Sequence, residues 1–187
     1  MTRGRIEIRD GFVVLLAALW CADRTNVLPL VLLAAAVHEG GHLLVLRLSG
    51  GRLHRLTLTC CGAVLHCALP EGRFARAAVC LAGPAASFAL TALAQACGWY
   101  RLAGASVLLG VFNLLPMPPL DGGMVLEHLC AGGAVTARAV LALLSAAGLL
   151  CCGLWLLHMG GGCWLLLIGA LIGAKSAKNL ANSINMR

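Results

Sequence analysis

The chain has 187 residues, 60% of them apolar before its 23 glycines are counted and 11% charged, with 7 acidic side chains against 14 basic ones. Seven carboxylates cannot coat a water-facing surface, so composition argues against a soluble domain and excludes disordered, fibrous and nucleic-acid-binding proteins. A mean hydropathy of +0.92 and apolar runs near spanning length place the chain in a bilayer, where a net charge of +7 serves orientation and anionic headgroups rather than an acidic partner.

In chain order, a basic start over residues 1–10 precedes the apolar residues 11–21. That pattern is like a secretory signal, but Trp20 is too large for a peptidase site, and a short first membrane helix is expected instead. The second helix is expected over residues 27–48. Residues 53–69 change period: Leu56, Leu58 and Cys60 alternate with Arg55, Thr57 and Thr59, which predicts a strand that turns at Gly62 into a second strand over 64–69. Helices are expected again over 73–99, 102–115 and 135–158, and a sixth over 162–174 after the turn Gly160-Gly161-Gly162.

The expected fold is an all-α polytopic membrane protein of about six transmembrane helices. A small membrane-associated β-hairpin lies between helices two and three, and residues 1–187 form a single domain. With the N-terminus in the cytoplasm, all of the 14 basic residues except Arg24 and Arg101 fall on the cytoplasmic side. Both termini are therefore expected there, since an odd number of spans would destroy the bias. The 10 cysteines sit in apolar stretches, and the pairs Cys60-Cys61 and Cys151-Cys152 lack C-x-x-C spacing. Small buried thiols, not disulfides, are expected.

Within the second helix stands His38-Glu39-Gly40-Gly41-His42, an H-E-x-x-H sequence. Residues four apart share a helix face, so both imidazoles can hold one Zn²⁺ while Glu39 directs a carboxylate at the water to be activated. A charged residue inside a span costs on the order of 3 kcal/mol, which demands a paired or metal-bound function. Gly40 and Gly41 each cost about 1 kcal/mol in a helix, a cost that close approach of a neighbouring backbone or substrate would offset.

Two imidazoles leave zinc needing a third protein ligand and an open position. The candidate is Asp121, at the end of Asn113-Leu-Leu-Pro-Met-Pro-Pro-Leu-Asp121-Gly122-Gly123. There the prolines end a helix, the glycines allow tight turns, and irregular backbone at membrane depth must line a cavity or be buried. Glu127 and His128 stand in reserve. His54 and His66 read as interfacial side chains, and Trp99, Tyr100, Trp155 and Trp164 as interface anchors or core.

These motifs, in this order, resemble the site-2 proteases, a family of intramembrane zinc metalloproteases. There an H-E-x-x-H on one membrane helix is completed by the Asp of an N-x-x-P-x-x-x-L-D-G segment on another. The resemblance covers residues 27–123. It implies one Zn²⁺ per chain held by His38, His42 and Asp121, Glu39 as the catalytic base, and Asn113 and Pro119 holding substrate near the metal. Gly83-Pro84-Ala85-Ala86-Ser87 is similar to the family's G-P-x-x-N element, with Ser87 where Asn is usual.

With room for neither a PDZ nor a CBS domain, the layout most resembles the stage IV sporulation protein FB group, which cleaves a membrane-associated pro-sigma factor. The function so implied is regulated intramembrane proteolysis of a transmembrane or membrane-associated protein, cut near the cytoplasmic face. The partners implied are the lipid bilayer and a separate membrane regulator, with a homo-oligomer also open. Substrate helices must unwind before cleavage, and an edge of the hairpin over 53–69 is suited to hold the extended segment by strand addition. The alternatives are a membrane metal carrier, which would spread its polar residues along a path, and a non-catalytic metal-binding scaffold.

Overall fold

The computed structural model of the chain describes residues 5–59, 62–116, 120–129, 135–158, 170 and 174. Helices α1 (Asp10–Ala22) and α2 (Leu28–Leu48) are joined by a link centred on Asp23. Its carboxylate accepts the Thr25 amide at 3.1 Å and the Leu28 amide at 2.7 Å, so an orphan donor at the head of α2 is satisfied from five residues back. α2 ends where Gly50 takes a φ of +80°. The Gly50 and Gly51 amides turn back to the Arg47 and Leu46 carbonyls at 3.2 and 2.9 Å, a closure that needs a left-handed residue. Helix α3 (Arg73–Ala96) closes the same way at Gly98, and α4 (Tyr100–Asn113) follows. Gly98 thus sets the break a few residues before the expected one.

Between α2 and α3 lie β2 (Arg52–Thr59) and β3 (Gly62–Ala68), antiparallel with Thr59 opposite Gly62 and a bulge between Leu53 and Arg55. This is the hairpin that the alternating pattern predicts. The third strand has no such pattern: β1 (Arg5–Ile8) pairs parallel to β2, with Arg5 opposite Arg55 and Ile8 opposite Leu58. Glu7 offsets the facing arginines, reaching Arg55 at 2.9 Å and Arg9 at 3.6 Å. β2 is therefore the middle strand and β3 an edge.

The chain divides into two compact units, Met1–Phe112 and Asn113–Arg187. In the first, the interior is made mostly of small residues, with Leu46, Val79 and Leu102 the larger side chains buried among them. Ala34, Ala77, Ala82, Ala94, Ala103, Ser87 and Ser106 are buried, whereas Leu48, Phe74, Leu93, Trp99 and Leu108 are 63–78% exposed. Large apolar side chains outside and small ones inside invert the soluble pattern and suit helices that approach closely in lipid. At Gly41 the two backbones come close, for a Cβ there would meet the Ala82 carbonyl oxygen at 2.5 Å and the Ala86 Cβ at 2.7 Å. Among the described residues, α2 and α3 are long and apolar enough to cross a bilayer.

In the second unit, α5 (Asp121–Leu129) precedes α6 (Val135–His158). α6 has the expected bounds. α5 is a correction, because Gly122 and Gly123 sit in the first turn of a helix and not in an irregular loop. A Cβ at Gly122 would meet the Leu114 carbonyl oxygen, and the Leu115 oxygen at 2.8 Å, so glycine is what lets this turn start against the preceding segment. Of the expected sixth helix only residues 170 and 174 are described. The thiols are corrected too: of the six described only Cys80 is buried, while Cys21, Cys97, Cys151 and Cys152 are exposed. Trp99, Tyr100 and Trp155 are exposed, as interface anchors would be; Trp164 lies outside the described residues.

Candidate metal centre

Four residues apart on α2, His38 and His42 occupy one face and are buried, with 3% and 6% exposure. Their rings meet edge to face with centroids 4.9 Å apart, and their Nε2 atoms converge to 3.3 Å. Glu39, the next residue along, is half-buried. Gly41 faces α3, whereas a Cβ at Gly40 would meet nothing within 4 Å, so the two glycines of the motif have different reasons to be there.

The opposing wall is one face of α3, presented by Val79, Gly83 and Ser87 at four-residue intervals. The Val79 carbonyl accepts from His42 Nδ1 at 2.8 Å. A carbonyl can only accept, so the ring proton is on Nδ1 and the Nε2 of the neutral ring carries a lone pair. His38 Nδ1 lies 2.9 Å from Ser87 Oγ. Between them Gly83 leaves room: a Cβ there would meet His42 Nε2, and also His42 Cε1 at 2.6 Å and His38 Nε2 at 2.7 Å. Pro84, inside α3, has no amide to give to the helix ladder at this level.

The pair suits zinc by its own geometry. Bonds of about 2.0–2.1 Å in a tetrahedron put two ligand nitrogens about 3.3–3.4 Å apart, which is the separation observed. Ligand imidazoles also require a partner on the other ring nitrogen to fix tautomer and orientation, and both have one.

Asn113 closes α4 and is half-buried; Asp121 opens α5 and is half-buried. Pro119 lies outside the described residues. His54 and His66 are exposed on β2 and β3. Glu127 is exposed, and His128, in the last turn of α5, has its Nε2 atom buried. Sequence reasoning missed Val79, whose contribution is a backbone oxygen that no residue type signals. It also missed what Gly83 and Ser87 do, although their spacing of four on an apolar helix was there to be read.

The sequence profile of peptidase family M50 matches residues 96–154, a stretch that takes in Asn113 and Asp121. A relative named as zinc metalloprotease Rip3, from two strains of Mycobacterium tuberculosis, is 33% identical over 178 residues, covering 79% of this chain and 44% of Rip3. The chain thus spans less than half the length of those relatives. Its fold is similar to that of the Site-2 Protease from Methanocaldococcus jannaschii, with a TM-score of 0.63, 20% identity, and 94% of this chain and 90% of that one covered. A membrane-type helical fold with paired imidazoles on one helix is the class these features define. The profile match and the zinc metalloprotease relative, together with the shared fold, support the site-2 protease family, within peptidase family M50, as the family of this chain.

Proposed function

We propose that this chain is an intramembrane zinc metalloendopeptidase that hydrolyses a peptide bond of a membrane-embedded or membrane-associated protein near the cytoplasmic face. The observation that carries it is the buried imidazole pair, with Nε2 atoms 3.3 Å apart and the half-buried Glu39 next to His38 on the same helix. Asp121 supplies the third protein ligand of a single zinc, an assignment supported by its place in the N-x-x-P-x-x-x-L-D-G segment and by the family. Residues 1–187 act as one protease domain with six spans and both termini cytoplasmic, which the distribution of basic residues supports.

Zinc held there supplies Lewis-acid polarisation of the scissile carbonyl and lowers the pKa of water toward about 7. Glu39 takes a proton from the attacking water as its oxygen bonds to the carbonyl carbon. It then delivers that proton to the amide nitrogen as the C–N bond breaks. Asn113 and Pro119 hold the substrate backbone beside this centre. Because β1 occupies one side of β2, the open edge for strand addition is β3, and a substrate strand paired there is extended for attack. A membrane-associated pro-sigma factor is one substrate of this kind, and control falls to a separate membrane partner or to substrate supply.

The test is zinc content of the purified wild type and of Glu39→Gln, with cleavage of a single-span substrate in co-expressing cells. The expected result is about one zinc in each protein and cleavage by the wild type alone. Absence of zinc from both would sink the site. Zinc in both with equal cleavage would assign the cutting to another protease and favour a carrier or scaffold.

A further inference from the structure

We infer that Ser87 is a positioning residue for the metal centre: its hydroxyl holds the proton of His38 on Nδ1 and so aims the Nε2 lone pair at the metal. The inference rests on reading the imidazole pair as a zinc site. A ring that ligates through Nε2 must carry its proton on Nδ1 when neutral, and a buried N–H needs an acceptor. Ser87 Oγ stands 2.9 Å from that nitrogen, on a side chain with 0% exposure.

Three other helical hydroxyls behave differently. Thr91, Ser106 and Ser145 each donate to a backbone carbonyl at 2.9 Å, the common fate of Ser and Thr in helices. Ser87 reaches instead across to another helix, to a residue 49 positions earlier. Its own place is fixed from two sides. Ser106 Oγ and Thr91 Oγ1 both donate to the Ser87 carbonyl, and Gly110 packs so closely that a Cβ there would lie 3.1 Å from the Ser87 Cβ. A short side chain on a pinned backbone has little freedom to move, which is what a group that orients a ligand requires. A hydroxyl does with one oxygen what the amide at this position of the G-P-x-x-N element would do with its carbonyl, namely accept.

The experiment measures zinc affinity of the full chain in nanodiscs by competition with a chelator, together with the visible d–d spectrum of the Co²⁺-loaded protein. Ser87→Ala is expected to weaken zinc about 10–100-fold, the usual cost of losing an outer-shell partner, and to alter the cobalt bands. Ser87→Cys, nearly isosteric but a poor acceptor, should move both readouts in the same direction and covers the case of an alanine variant that does not fold. Ser145→Ala, which removes a helical hydroxyl that donates to the Leu141 carbonyl, should leave both unchanged. Equal zinc affinity in the wild type, Ser87→Ala and Ser87→Cys overturns the inference and leaves the metalloprotease reading standing. So does an equal loss in Ser145→Ala, which would mark the effect as general destabilisation. Failure of the wild type to bind zinc overturns both.

Discussion

Gly83→Ala separates helix stability from metal binding, because secondary-structure propensity and site geometry pull in opposite directions there. In a helix interior the change from Gly to Ala ordinarily stabilises by about 0.5–1 kcal/mol. At Gly83, however, the new methyl would lie 2.7 Å from His38 Nε2 and 2.6 Å from His42 Cε1, and closer still to His42 Nε2. Ordinary contact needs about 3.5–4.0 Å, so the rings or α3 must yield by close to an ångström. Metal–ligand distances tolerate only about 0.2 Å. The overpacking costs about 1–3 kcal/mol, which exceeds the propensity gain, and the ligand pair is displaced by several times its tolerance. The expectation is a protein that remains helical by circular dichroism, melts no higher than the wild type, and retains less than a tenth of its zinc affinity. A Gly83→Ala variant that melts higher and binds zinc as tightly as the wild type would refute this account of the α3 wall.

The two glycines of the motif give a paired test. Gly41→Ala places a methyl 2.5 Å from the Ala82 oxygen and should lower the melting free energy by about 1–3 kcal/mol; Gly40→Ala meets open space and should raise it by up to about 1 kcal/mol, read from melts in one detergent. At Asp23, in the link between α1 and α2, the Leu28 amide holds the carboxyl below its ordinary value of 3.8. A depressed folded-state pKa contributes stability that is complete above the unfolded value and is lost as pH falls through the folded one. Asp23→Asn should therefore melt below the wild type at neutral pH, and the gap should close in acid; equal melts at neutral pH would remove the link from the account. On the edge strand β3, neighbouring residues alternate in the direction of their amides, so one of Val64→Pro and Leu65→Pro deletes an outward donor without touching the ladder. That variant should keep zinc and lose cleavage, and retained cleavage in both would end the strand-addition proposal.

How much was legible in the sequence follows from how local each signal is. α2 and α6 emerge within a residue of their expected bounds because apolar runs closed by Pro, Gly or charge leave few alternatives. The hairpin is legible because Leu56 and Leu58 alternate with Arg55 and Thr57. β1 is not, since four residues of a basic N-terminus acquire meaning only when β2, nearly 50 residues later, offers its edge. α5 was hidden by its own composition: a proline cluster followed by two glycines reads as irregular backbone. The structure shows instead a helix whose first turn needs Gly122 in order to start against Leu114.

The site divides along the same line. A spacing of four between His38 and His42 is a property of one helix and can be read from its letters. What turns those rings belongs to α3, where three positions on one face act through three different kinds of atom: a backbone oxygen at Val79, the absence of a side chain at Gly83, and a hydroxyl at Ser87. Mutation should therefore treat them unequally. Val79→Ala removes two buried methyls and the van der Waals contacts they make, and should lower stability by about 1 kcal/mol. It keeps the carbonyl that receives His42 Nδ1, so zinc affinity should hold even as the melt falls. A loss of zinc in Val79→Ala comparable to that in Gly83→Ala would mean that the α3 wall is set by side-chain packing rather than by its backbone, and the account of His42 would have to be rebuilt.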